Sequence, residues 1–168
     1  TINKQAEAET EQSEKEHLKR MQQINSEYYS NMRKELSNYI SSISKQRDKA
    51  EVKNAWGIIN YGKTKTALEN LKDNADNAMK QIANQKNALV DKLSKGEISF
   101  GDFDTAMTEL NALGTEAMET AESVKQDLED LGGDFWDSIN QWVQVVGQTV
   151  NQVLSSILRC FPLFPDAH

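Results

Sequence analysis

Residues 57–64 read Gly-Ile-Ile-Asn-Tyr-Gly-Lys-Thr, which satisfies the spacing G-x-x-x-x-G-K-T of a phosphate-binding loop. In such a loop, small residues let backbone amides surround a phosphate, and the Lys and Thr side chains contact phosphate and magnesium. The motif requires a buried strand before it, whereas residues 50–56 continue a charged amphipathic pattern. Ile58, Ile59 and Tyr61 are also bulky where small residues are usual. The sequence therefore favours a glycine-containing link between two helices over a nucleotide site.

Other residue types that support catalysis or metal binding are scarce. His17 lies in a polar stretch, His168 is the last residue, and Cys160 is the single cysteine. Metal sites, nucleophilic triads and internal disulfides therefore have no candidates. We interpret the carboxylates between residues 100 and 131 as a solvated or salt-bridged helix face. They include Glu109, Glu116, Glu119, Glu122 and Asp127. The sequence predicts a protein that is not an enzyme, with no catalytic residue, no cofactor, no metal and no small-molecule substrate.

The composition predicts an all-α fold. Of 168 residues only 8 are Gly and 2 are Pro, and both prolines lie among the last seven, so nothing before residue 162 forbids a helix. The alternation of β-branched and polar residues that indicates strands is absent. The mean hydropathy is −0.69, low for a compact globule. These features favour an elongated antiparallel bundle of four helices, with a long N-terminal helix and a central helical hairpin.

Apolar spacing assigns the first two helices. The first is expected between about residues 3 and 59, because inward positions recur every eleven residues. These positions are Met21, Met32 and Ile43 in one file, and Tyr28, Tyr39 and Ala50 in another. A break is expected at residues 56–65. Thr66 and Glu69 have the spacing of a capping box and predict the start of the second helix, which is expected to run to Lys95. Its predicted inward positions are Leu68, Leu71, Ala75, Met79, Ile82, Leu89, Val90 and Leu93.

A turn after Lys95 separates the second helix from the third. Gly96 is placed to end the second helix in the left-handed conformation, Ile98 to fold back on it, and Ser99 to cap the third. The third helix is expected over residues 100–131, with heptad positions Phe103, Leu110, Ala117, Val124 and Leu131. Gly132 and Gly133 are expected to end it, and a fourth helix is expected from 135 to 159. Residues 1–134 and 135–168 form two parts of one predicted domain.

The net charge of −7 is spread unevenly along the chain. Residues 1–95 carry 17 Lys+Arg against 13 Asp+Glu, whereas residues 96–134 carry 1 against 11. This distribution predicts that an acidic helix packs beside basic ones. The isoelectric point is about 4.9 and no basic stripe with interleaved aromatics occurs, so nucleic acid is not a predicted partner.

Residues 135–164 differ from the rest of the chain. Apolar side chains recur at helical spacing, while the opposite face carries only Asn, Gln, Ser and Thr, and no charged residue occurs between 138 and 158. A helix without charge on either face is suited to contact protein or lipid instead of water. The residues predicted to bind a membrane or partner are Phe135, Trp136, Ile139, Trp142, Val143, Val146, Val150, Val153, Leu154, Ile157, Phe161 and Phe164.

Three interpretations of this segment stay open: a core helix, a surface for self-assembly or a protein partner, and a membrane-contacting element. The favoured function is a non-enzymatic helical protein that self-associates and contacts membranes through the segment. In architecture alone it resembles helical pore-forming toxins and secretion translocators. The alternative is a soluble coiled-coil scaffold or filament subunit that binds a helical protein. A soluble form, secreted without a cleavable signal, is the expected state before assembly.

Overall fold

The computed structural model describes residues 2–146, with side chains described as far as residue 140 apart from those of residues 2 and 138. It contains helices α1 (Ile2–Arg47), α2 (Tyr61–Ser94) and α3 (Phe100–Val146). The all-α prediction is confirmed for this part of the chain, which has three helices and not four. The helices contribute to two compact units. Among the described residues, unit 1 comprises 2–40 and Asn77–Ala117, and unit 2 comprises Ser41–Asp76 and 118–146.

Unit 1 is built around apolar residues of all three helices. Its largest fully buried side chains are Ile40, Leu89 and Leu110. Within this unit α2 and α3 run in opposite directions. A Cβ at Gly114 would lie 3.9 Å from Cγ2 of Ile82, and Lys86 donates to Asn111 at 2.6 Å. The predicted helical hairpin is therefore present in unit 1.

The turn of this hairpin has the predicted chemistry. Gly96 adopts a φ of 70°, and its N–H bonds to the carbonyl of Leu93 while that of Glu97 bonds to the carbonyl of Lys92. These two bonds define a Schellman motif, which satisfies carbonyls that the helix end leaves open. Ser99 caps α3 by accepting from the N–H of Asp102 at 3.1 Å.

Polar contacts attach α1 to the turn and to α3 within unit 1. The Gln22 side chain donates to the carbonyl of Gly96, and the buried Asn25 donates to that of Glu97 at 2.7 Å. Further along, Arg33 pairs with Glu109 at 2.5 Å. A basic side chain of α1 therefore pairs with an acidic side chain of α3, as the charge distribution predicts.

Unit 2 contains the connection between α1 and α2. After Arg47 the chain leaves the helix, and Lys53 and Ile59 form an isolated antiparallel bridge. Asn60 then caps α2 by accepting from the N–H of Lys63 at 3.0 Å. The predicted extension of the first helix to residue 59 and the predicted start at Thr66 are both wrong, because this capped turn ends one helix and begins the next.

The predicted stop of the third helix at Gly132 and Gly133 is also wrong, since α3 continues through both to Val146. A helical Gly costs about 0.5–1 kcal/mol relative to Ala. Burial of a large apolar side chain contributes about 1.5–3 kcal/mol, and Phe135 and Ile139 on the next turns are fully buried. Packing therefore outweighs the two glycines, and residues 135–146 extend α3 without forming a separate fourth helix.

Candidate functional site

The first residues of the predicted binding stripe belong to the core of unit 2. Phe135 and Ile139 are both 0% exposed and pack with Ile58, Ile59 and other buried side chains of this unit. The rings of Tyr61 and Phe135 meet edge to face with centroids 6.0 Å apart. The beginning of the stripe therefore anchors α3 to the α1–α2 connection, which agrees with the core interpretation for these two positions.

Trp136 is partly buried against the same cluster, and its ring lies edge to face with that of Phe135 at 5.9 Å. Trp142, Val143 and Val146 lie on the last turns of α3, where the backbone alone is described. The remaining predicted residues lie outside the described part of the chain. They are Val150, Val153, Leu154, Ile157, Phe161 and Phe164. Binding by the stripe as a whole stays a prediction.

A closed turn at residues 52–60 positions Ile58 and Ile59 for this packing. The side-chain oxygen of Asn54 accepts from the N–H groups of Trp56 and Ile58, and the Asn54 carbonyl accepts from Gly57. Gly57 has a φ of 75°, the left-handed region that glycine enters without strain. Trp56 is 68% exposed on this turn.

These hydrogen bonds also involve backbone groups of the phosphate-loop pattern at residues 57–64. The N–H groups of Gly57 and Ile58 bond to Asn54, and that of Lys63 bonds to Asn60. The Thr64 hydroxyl accepts from the N–H of Val52 at 3.0 Å. The groups that would surround a phosphate therefore close the turn instead, in agreement with the helix-link interpretation.

Carboxylates gather beside this turn in unit 2. Arg47 forms two hydrogen bonds with Asp127, at 2.6 and 3.0 Å, which raise the pKa of the Arg47 guanidinium. A cavity of about 160 Å³ adjoins the pair and is lined also by Asp48, Glu51 and Asp134. Partial burial, followed by the negative charges around it, raises the pKa of Asp134 above its ordinary value. Arg47 therefore compensates only part of the negative charge of the carboxylates beside α3.

The described residues hold little that could perform chemistry. His17 is exposed on α1. Within residues 2–146, no group of three or more His, Cys, Asp or Glu side chains is arranged to hold a metal ion. None of the three described helices combines the length and apolar character that a membrane span requires.

Sequence reasoning missed one surface, which lies in unit 1. The eleven-residue pattern assigns Tyr28 to the core, but Tyr28 is 55% exposed and Tyr29 is buried. Val90, also predicted inward, is 52% exposed. Tyr28 and Tyr29 border a groove of about 360 Å³, which also contacts Gln85. The pair of adjacent tyrosines is the only sequence signal for it, because a one-residue shift of the apolar pattern exchanges the buried ring for the exposed one.

No protein-family model matches the chain, and comparisons with curated proteins and with solved structures give no significant match.

Proposed function

We propose that this chain is a non-enzymatic helical assembly protein, which self-associates and contacts membranes through the charge-free segment at residues 138–158. The observation that carries the proposal is that α3 passes without interruption from a strongly acidic stretch into this segment. Phe135 and Ile139 anchor the helix just before and at the start of the segment. Residues 140–146 are therefore held at the end of a packed helix.

The absence of charge supports contact with something less polar than water. Moving an ionised side chain out of water costs far more than moving an amide, and Gln and Asn can still exchange hydrogen bonds with a partner. Exposed Lys side chains and exposed acidic side chains occur on both α1 and α2. The segment lacks them on every side, which supports a role in assembly or at a lipid surface.

Sedimentation tests the proposal, with the purified chain measured alone and with vesicles of anionic or neutral phospholipid. We expect a defined oligomer in solution and co-sedimentation with the anionic vesicles. Val146→Asp places a charge in the apolar stripe and should abolish both behaviours. The matched control is Val90→Asp, the same substitution at an exposed valine of unit 1, which should leave both unchanged.

The outcomes also separate the alternatives. An oligomer that ignores every vesicle would make the chain a soluble scaffold or filament subunit that binds protein partners. A Val146→Asp variant that keeps its native mass and its lipid binding would contradict the assignment of this segment as the working surface. A wild-type chain that stays monomeric and ignores lipid would reduce the segment to a core element.

A further inference from the structure

The groove in unit 1 is formed by one face of α1 and one face of α2. Seven residues line it, and none is charged, in a chain whose residues are 27% charged. They are Tyr28, Tyr29, Met32, Gln81, Asn84, Gln85 and Ala88. The groove follows two turns of α2, from residue 81 to residue 88, and about one turn of α1, from residue 28 to residue 32. This is the form of surface that accepts an amphipathic helix.

Two large apolar side chains of α1, one in the groove and one a turn before it, are more than half exposed. Ile24, Tyr28 and Met32 lie four residues apart and so share one helix face. Ile24 is 59% exposed and Tyr28 is 55% exposed. The Tyr28 ring is held edge to face against the buried Tyr29, with centroids 5.1 Å apart. The groove therefore presents an exposed aromatic ring, and aromatic side chains are frequent anchors of binding surfaces.

Gln85 gives an independent sign that the groove lacks a partner. Its side chain is 5% exposed, and no donor within the described residues reaches its Oε1 atom. Buried polar atoms in proteins are nearly always hydrogen-bonded, so such an acceptor requires an explanation. The terminal torsion of Gln is soft, and a rotation of the carboxamide toward the groove would present this oxygen to a donor there.

We propose that this groove binds residues 138–158 of a second copy of the chain; the inference rests on the proposed self-association and names its receiving surface. The complementarity is one of charge. A helix bearing Lys or Glu would have to desolvate them over Tyr28 and Met32, whereas the segment from 138 to 158 has none. Its apolar stripe supplies cover for Tyr28 and Met32, and an amide side chain beside that stripe, such as Asn140, supplies an N–H donor for Gln85.

The two contacting surfaces differ, so the interface is head to tail. One copy contributes its groove and the other its C-terminal segment, so the first copy retains an unused segment and the second an unused groove. Such heterologous contacts build rings when the rotation closes and open filaments when it does not. A segment that paired only with the same segment of another copy would instead stop at a symmetric dimer.

The test measures the solution mass of two single variants and of their mixture. Tyr28→Asp damages the groove at an exposed position, and Val146→Asp damages the segment. Each variant alone should associate at least about tenfold more weakly than the wild type, the loss expected for a central aromatic anchor. Mixed in equal amounts, they should form a species of two chains, because the intact groove of one variant accepts the intact segment of the other. Val90→Asp is the control and should keep the wild-type mass.

Thermal unfolding of each variant establishes that it is folded before its mass is interpreted. A folded Tyr28→Asp variant with wild-type mass would overturn the groove assignment while leaving the proposed function intact, provided that Val146→Asp dissociates. A mixture that stays monomeric would overturn the head-to-tail arrangement. A monomeric wild type at high concentration would remove the proposed self-association itself, and with it this inference.

Discussion

Gln85 is a residue whose replacement should stabilise the chain. Its Oε1 atom is buried without a donor among residues 2–146, and an unsatisfied buried polar group costs about 1–3 kcal/mol. Gln85→Met keeps a similar volume and removes the acceptor, so we expect the free energy of unfolding to rise by about 1 kcal/mol. Urea unfolding in the Val146→Asp background measures this effect without a contribution from association.

Gln81, one turn earlier and exposed, provides the control for this substitution. Gln81→Met removes an amide that water already satisfies, so its effect should stay within about 0.5 kcal/mol. Equal stabilities for the wild type and the Gln85→Met variant would show that the Oε1 atom finds a partner in solution.

Asp134 should make the stability of unit 2 depend on pH. Burial and the nearby carboxylates, chiefly Asp130 and Glu51, raise the pKa of Asp134 in the folded state. The unfolded reference is about 3.9. The charged form therefore destabilises the fold above the raised pKa, and this penalty disappears as the pH falls toward the unfolded value. Asp134→Asn should stabilise the chain at pH 7 by a few tenths of a kcal/mol, because the exposed charge is screened by solvent.

The measurement for Asp134→Asn is thermal unfolding at pH 7 and at about pH 2.5, well below the unfolded-state pKa of about 3.9. The difference from the wild type should vanish at the lower pH, where Asp134 is protonated in both states. Asp73→Asn, on the exposed face of α2, is the control. A difference that persists at low pH would assign the effect of Asp134→Asn to packing and not to charge.

At the scale of helices and turns, two glycines of unlike conformation should respond oppositely to the same substitution. Gly133 lies inside α3, and a Cβ there would meet nothing within 4 Å. Gly133→Ala should therefore raise the free energy of unfolding by about 0.5–1 kcal/mol. Gly96 has a φ of 70° at the end of α2, where Ala is strained, so Gly96→Ala should lower it by about 1 kcal/mol. Chemical denaturation of both variants checks the signs, and a destabilising Gly133→Ala would mean that α3 bends at the glycine pair.

The sequence predicted those elements whose signals are local. The Schellman turn at Gly96 and the Ser99 cap need only adjacent residues, and the heptad of α3 places Leu110 and Val124 in the core as expected. The helix limits near residues 47 and 61 were missed because they depend on contacts across the turn. Val52 reaches Thr64 through its backbone, a pairing twelve residues apart that a capping pattern does not report.

The candidate site was predictable only in part, because burial depends on tertiary packing. The stripe from Phe135 onward is evident from its spacing, but whether its first residues face the core or a partner depends on the turn that carries Ile58 and Ile59. The groove at Tyr28 was missed because Tyr28 and Tyr29 fit the apolar pattern almost equally well. The polar network from Asn25 to the turn carbonyl of Glu97 fixes the rotation of α1, and that network has no signature in the apolar spacing.

At the scale of the whole molecule, ion pairs contribute less to stability than apolar packing. The basic and acidic stretches of the sequence meet in Arg33–Glu109 within unit 1 and in Arg47–Asp127 within unit 2. Such partly exposed pairs contribute up to about 1 kcal/mol each, so the apolar clusters must supply most of the stability. Neither cluster includes any residue before Tyr29.

Because the apolar clusters begin at Tyr29, we expect that the first turns of α1 can be removed with little loss of stability. Residues 3–20 are all exposed, and an isolated helix of that length is marginal in water. Deletion of residues 1–17 keeps the bonds from Gln22 and Asn25 to the turn after α2. Its melting temperature should stay within about 2 °C of the wild type, since 1 kcal/mol corresponds to about 2–4 °C for a chain of this size. Deletion of residues 1–32 also removes Tyr29 and these hydrogen bonds. The decrease in its melting temperature should be several times larger than that caused by the shorter deletion. If the shorter deletion lowered the melting temperature equally, the exposed turns of α1 would have to be covered by another copy in solution. The shortened protein would then also form a smaller oligomer than the wild type.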